Sequence, residues 1–240
     1  MAFVATGPPG WPLPLYELAL MTSRAAYDMS AEVAVFVVTP EHAPLEAFGE
    51  RASAAVAALL ARHRVELLTA PACEVPAAGR VVIDPDHPSL HVQSVVAMPE
   101  LAPRRVPGVS AGAGGFIEVD TRCRVEGLDG VYAAGDTTGF RVKHGSIAAE
   151  QADTAAAEIA RNAGADVASE PFEPTLHGIL LGAERPLYMT ARLDAAGNPL
   201  HSEVSEEPLW HPAGKIAARR LGPYLHHADQ LTASFSRAAL

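Results

Sequence analysis

The sequence predicts an α/β chain. Three observations carry this reading. Residues 2–69 alternate apolar, β-branched runs with stretches of helical periodicity. Residues 73–97 break into short alternating runs separated by turn residues. Residues 131–161, VYAAGDTTGFRVKHGSIAAEQADTAAAEIAR, then read as strand, loop and long helix.

Composition sets the bounds. The chain has 240 residues, enough for one large or two small domains. It is 49% apolar and 19% charged, as a globular chain is. A net charge of −10 argues against a nucleic-acid surface, which needs a basic stripe. There is no continuous apolar run of ~18 residues for a membrane span, and no basic stretch ahead of an apolar one for a signal peptide. A cytoplasmic setting is expected. Cys73 and Cys123 form no C-x-x-C pair and no zinc spacing, so buried, unpaired thiols are expected. The ten histidines are scattered. His87 with His91, and His226 with His227, do not make a metal site, and none is expected.

The elements follow in order. Residues 2–6, AFVAT, read as a first strand. A proline-rich turn, Gly7-Pro8-Pro9-Gly10-Trp11-Pro12-Leu13-Pro14, leads into a helix starting near Pro14, with Leu15, Tyr16, Leu18 and Ala19 on one face. Glu17 lies one turn into it. Glu32–Val38, EVAVFVV, is the second strand, ended by Thr39-Pro40-Glu41. Phe48–His63 is a helix with Val56, Leu59 and Leu60 inward. Val65–Thr69 is the third strand, which completes β-α-β-α-β, half of a doubly wound domain. VVIDPDHPS and LHVQSVVAM give an antiparallel meander. Residues 100–115 are rich in Pro, Gly and Ala and read as a loop. Gly112-Ala113-Gly114-Gly115 precedes the strand FIEVD (116–120) rather than following one, so it is no phosphate loop.

Val131, Tyr132 and Ala133 read as a short buried strand ended by Ala134-Gly135-Asp136. A helix opens near Gly145–Ser146 and runs to about Ala163, with Gly164 as its stop. In an open α/β sheet, ligands sit at the carboxyl ends of strands. There Asp136 can accept hydrogen bonds from a polyol, and the helix N-terminus adds N–H groups and partial positive charge. Further on, residues 178–190 and 191–204 read as a hairpin turning at Ala196-Gly197-Asn198. KIAARRL (215–221) reads as a short helix broken by Gly222-Pro223. It is expected to pack on the domain or on a partner rather than on a membrane.

The run VYAAGD, then K-x-G, then A-x-x-Q-A resembles the second flavin motif of flavoproteins with two dinucleotide-binding domains. Type II NADH dehydrogenases and sulfide:quinone oxidoreductases are the nearest in look. The resemblance implies FAD as cofactor, with Gly135 and Asp136 at the ribityl chain and Lys143, His144 and Gly145 at the pyrimidine edge of the isoalloxazine. It implies a Rossmann-like nicotinamide-type domain plus the C-terminal half of an FAD-binding domain, joined through Val95-Val96-Ala97-Met98-Pro99. It also places Glu41 where an acidic residue holds the ribose of a dinucleotide. Against NAD(P)H binding, the first turn lacks G-x-G-x-x-G, and Pro8, Pro9 and Pro12 have no N–H for a pyrophosphate. That proline-rich form looks like a variant found among relatives of the sulfide:quinone group.

The expected boundaries are 1–98 for a degenerate NAD(P)-binding-type domain with its meander, 99–165 for the returning flavin segment, and 166–240 for a hairpin and short helix. No G-x-G-x-x-G occurs anywhere in the sequence. The chain therefore reads either as a piece of a longer protein or as a natural short protein that has lost the first flavin half. Two functional classes remain open. One is an FAD-dependent oxidoreductase that takes electrons from an NAD(P)H- or sulfide-type donor to a quinone-like acceptor, with this chain inactive alone. The other is a non-catalytic interaction or oligomerisation module on a flavoprotein-derived scaffold. No catalytic residue is assigned, and homo-oligomer formation is left open. A short-chain dehydrogenase is disfavoured because no Tyr-x-x-x-Lys pair is present.

Overall fold

The computed structural model describes residues 1–7, 11–70, 73–83, 89–98, 100–112 and 114–238, with 230–238 described by their backbone. Pro8, Pro9, Gly10, His87, Pro99 and Ala113, singled out above, lie outside the described residues. The chain divides into two compact units. The first is Met1–Ala102, Gly178–Ala191 and Asn198–Glu207; the second is Pro103–His177, Arg192–Gly197 and Pro208–Leu240. Residues 166–240 are thus shared between the two units.

The first unit is built on a parallel sheet. Its strands are β1 (Ala2–Ala5), β2 (Val35–Thr39), β3 (Val65–Thr69) and β7 (Val95–Met98), in the order β3-β2-β1-β7. All three pairings are parallel, with Phe3 opposite Val37 and Val96. Strand β1 is wholly buried, as a central strand covered on both faces must be. Helices α1 (Leu13–Asp28) and α2 (Glu50–Arg62) supply the crossovers. Pro14 sits in the first turn of α1, where no N–H is missed. Strand β2 starts at Val35, later than the Glu32 expected.

The meander is smaller than expected. β4 (Glu74–Ala77), β5 (Arg80–Val82) and β6 (Leu90–His91) form a separate antiparallel sheet. Val95–Met98 leaves it and joins the parallel sheet beside β1. It lies at the edge of that sheet, with Val95, Val96 and Met98 partly covered and Ala97 exposed. Gly79 makes the β4–β5 turn at φ +75°, and a Cβ there would come within 2.4 Å of the Val92 carbonyl oxygen. Side chains of the two sheets share a core of Ala2, Val4, Val38, Cys73 and Val81. Strands β8 (Thr175–Leu180), β9 (Leu187–Leu193) and β10 (Pro199–Ser205) make a third sheet in the order β10-β9-β8. Leu187, Met189, Ala191 and Leu193 alternate inward along β9, the period of a strand with one buried face.

The second unit corrects three expectations. FIEVD and Val131–Ala133 are not strands. They make only isolated bridges, Ile117 with Thr138, Val119 with Val125, and Arg124 with Tyr132. Val131, Tyr132 and Ala133 are half-buried. The segments are too short to extend a ladder, and Gly127, Gly130 and Cys123 hold left-handed turns between them. KIAARRL is not helical. Helix α4 (Leu221–Ala238) instead begins where a break was expected. Pro223 lies in its first turn, and the Asp153 carboxylate accepts the N–H groups of Arg220 at 2.6 Å and Leu221 at 3.1 Å. Helix α3 (Gly145–Asn162) lies where the sequence puts it. Among the described residues, no helix is long and apolar enough to cross a membrane.

Candidate functional site

The site in the second unit centres on a 3₁₀ turn, Gly135–Thr137, in front of α3. Gly135 has φ +77°, and a Cβ there would lie 3.2 Å from that of Ala148. The close approach lets the Gly135 N–H donate to Gln151 Oε1 at 2.7 Å. Thr138 Oγ1 donates to the Gly135 carbonyl at 2.8 Å, and Gln151 Nε2 lies 3.4 Å from the same hydroxyl. Gln151 is 1% exposed, and Thr138 is fully buried. The turn is thereby fastened to the second turn of α3. Asp136 stands exposed at its apex, and its carboxylate makes no hydrogen bond among the described residues.

Lys143 is buried, and its ammonium has two uses inside the protein. Nζ donates to the Thr138 carbonyl and lies 4.0 Å over the Phe116 ring. Burial lowers its pKa, while the nearby Asp136 and Glu118 carboxylates oppose that shift. His144 is the N-cap of α3. Its Nδ1 accepts the Ser146 N–H at 2.8 Å, and the Ser146 hydroxyl lies 2.9 Å away. Burial holds this imidazole neutral, with its pKa pushed down to about 3. Gly145 opens the helix into free space, since a Cβ there would meet nothing within 4 Å.

Behind this front, α3 and the start of β8 interlock. Ser146 Oγ accepts the His177 N–H at 3.0 Å, and Glu150 Oε2 accepts the Thr175 N–H at 3.0 Å. Ser146 and Glu150 are one helical turn apart, and so they meet alternate N–H groups of a strand. At the far end of α3, the fully buried Glu158 gathers Arg122, Arg124, Arg161 and Ser169. This ties the helix to the 120–124 turn that leads into the site.

In the first unit, Glu41 is a core carboxylate. It is 5% exposed. The Tyr16 hydroxyl donates to its Oε2 at 2.7 Å, Thr39 Oγ1 lies 3.1 Å from the same oxygen, and the Glu46 N–H donates to Oε1 at 3.2 Å. Burial raises its pKa to about 7. Glu17 accepts the Leu181 N–H at 2.9 Å. Cys73 and Cys123 are both buried and free. Among the described residues, no cluster of His, Cys, Asp and Glu could hold a metal ion.

A family described as pyridine nucleotide-disulphide oxidoreductase matches residues 17–158, more than half of the chain. The chain belongs to this family. Solved structures agree on the fold. The sulfide:quinone oxidoreductase of Aquifex aeolicus superposes with a TM-score of 0.66 at 12% identity, over 85% of this chain and 54% of its own. LpdA of Mycobacterium tuberculosis gives 0.56 at 19% identity, over 79% and 39%. The flavoprotein disulfide reductase RclA of Escherichia coli gives 0.55 at 16%, over 79% and 42%. The chain thus spans about half, or less, of the length of these relatives. No curated protein matches the sequence.

The family typically binds FAD. Asp136 offers an unoccupied acceptor at the apex of a fixed turn, and Gly145 leaves the helix start open. Glu41, assigned above to a dinucleotide ribose, is buried, and both of its oxygens accept hydrogen bonds inside the protein. Gln151 and Thr138 were not assigned from the sequence. The A-x-x-Q-A motif held the signal, since Ala148 and Gln151 are three residues apart and share the helix face on which Gly135 lies.

Proposed function

We propose that residues 135–151 form the riboflavin-facing half of an FAD site, in an oxidoreductase that passes electrons between a small-molecule donor and an acceptor such as a quinone. Asp136 carries this reading. It is an exposed carboxylate with no hydrogen bond among the described residues, on a turn fixed by Gln151, in front of an open helix N-terminus. Asp136 accepts hydrogen bonds from ribityl hydroxyls. Gly145 and the α3 dipole favour developing negative charge at the ring edge, and the Lys143 ammonium adds positive charge beside it. FAD, when bound, supplies the electron-transfer chemistry, and these residues supply binding and orientation.

The contacts to ADP have no counterpart among the assigned residues, so the 240-residue chain is expected to hold FAD weakly. A charge-assisted hydrogen bond at Asp136 contributes ~1.5–3 kcal/mol. This corresponds to a roughly 10- to 150-fold loss of affinity in Asp136→Ala. Titration of FAD into the chain, followed by flavin fluorescence, is expected to show weak saturable binding that this substitution abolishes. Tight binding indifferent to Asp136→Ala, or no binding of either FAD or riboflavin, would refute the assignment.

A further inference from the structure

A largely buried imidazole in the second unit faces a largely buried carboxylate. His177 Nδ1 is shielded from solvent and makes no hydrogen bond of good geometry, the Thr175 backbone acts on the ring as an acceptor, and Glu150 Oε1 stands 3.8 Å from Nδ1. The other Glu150 oxygen is taken by the Thr175 N–H, so Oε1 is the end free to turn. Both side chains are less than one-fifth exposed, at 17% for His177 and 18% for Glu150. The edge of Trp210 packs on the His177 ring at 5.1 Å.

The spacing would suit an ion pair, yet the surroundings favour the neutral forms. Burial raises Glu150 to about 8, and Asp153 adds to the rise. Burial also lowers His177, and a hydrogen bond with the Thr175 backbone opposes that shift in part. A carboxylic acid facing a neutral imidazole can share one proton along the line between Oε1 and Nδ1. A small rotation of Glu150 or one bridging water would close that line.

We propose that Glu150 and His177 are an acid–base pair that holds a single proton and supplies it to the cofactor site at the N-terminus of α3. Its redox role rests on the flavin reading above, because an acceptor such as a quinone takes up protons with its electrons. The position suits that role. Ser146 accepts the His177 N–H and contacts the His144 ring, so the pair is fixed one helical turn behind the helix start. Glu150 also lines a cleft of about 290 Å³ that opens to solvent. The charged groups sharing that cleft are Asp153, Glu170, Glu173, Arg219 and Arg220. His144 faces His177 from the helix start. In the step itself Glu150 passes from carboxylic acid to carboxylate, the proton goes to the acceptor, and water in the cleft returns one. No electron moves through the pair.

The test needs no cofactor. Nitrogen NMR of the histidines and carbon NMR of the glutamate carboxyls are followed against pH in the 240-residue chain. One shared step is expected near pH 8, seen at both Glu150 and His177 Nδ1, with His177 unprotonated at pH 7. The step should vanish from His177 in Glu150→Gln. If Glu150 titrates near 4.5 and His177 alone near 6.5, the two are ordinary surface groups and the proposal fails. A step at His177 that persists in Glu150→Gln would also overturn it. Should that variant not fold, the wild-type co-titration still decides. Loss of the flavin reading would appear separately, in the FAD titration.

Discussion

Gln151→Met removes the side chain that fastens the Asp136 turn to α3 while nearly keeping its volume. The Gly135 N–H loses its 2.7 Å acceptor, and the buried Thr138 hydroxyl loses a neighbour at 3.4 Å. Leaving one such donor unsatisfied costs about 1–3 kcal/mol. For a chain of this size each kcal/mol lowers Tm by about 2–4 °C, so a drop of roughly 2–12 °C is expected. Gln151→Ala should cost more, because the site is 1% exposed and a cavity adds to the lost hydrogen bond. Thermal unfolding followed by circular dichroism measures both. Flavin affinity should fall in step, since Asp136 is no longer held at the helix start. A Gln151→Met protein within about 0.5 kcal/mol of wild type would refute the reasoning, because the turn would then hold without its clamp.

Three further outcomes are expected. Titration calorimetry with NADH and NADPH should show no micromolar binding, because Glu41 is engaged by Tyr16 and the prolines of the first turn lack N–H groups. A dissociation constant near 1 µM, about −8 kcal/mol, would contradict this. Both thiols should react with an aromatic disulfide reagent only after denaturation. Both are buried, and the Cys123 thiol is pushed up to about 12 by burial and by Asp120. Stability should fall as pH rises from 6.5 to about 8. Glu150 and Glu41 are raised from 4.5 to about 8 and about 7, so in that window the folded chain keeps protons that the unfolded chain has shed. His144, held down to about 3, acts in the opposite direction but only below its ordinary 6.5. Denaturant titrations across this range should therefore show a falling limb that Glu150→Gln flattens.

The parallel core was legible because burial on both faces leaves a continuous apolar run, and AFVA and VFVV are such runs. Val95–Met98 has the same signature, yet its neighbours read as a meander, and only sheet pairing settles which partner a strand takes. FIEVD and VYA misled for the opposite reason. They have strand composition, but the glycines and Asp120 between them close the chain into turns before a ladder can extend. Gly222-Pro223 read as a stop because proline ends helices, although the same pair is at home in a first turn when Asp153, distant in sequence, caps the N–H groups. Within the proposed site, Asp136 and the Lys143–Gly145 segment were singled out by the resemblance of VYAAGD and K-x-G to a flavin motif. The roles of Gln151, and of Tyr16 in occupying Glu41, depend on contacts between distant residues.

The proposed site sets a flavin against the Gly135–Thr138 turn and the start of α3. Amide NMR shifts on addition of riboflavin or FAD to the nitrogen-labelled 240-residue chain test this placement. Shifts concentrated at 135–138 and 143–147, and nearly absent at 39–46, are the expected result. Shifts centred on 39–46, or no change at Gly135, Asp136 and Gly145 under saturating flavin, would contradict it.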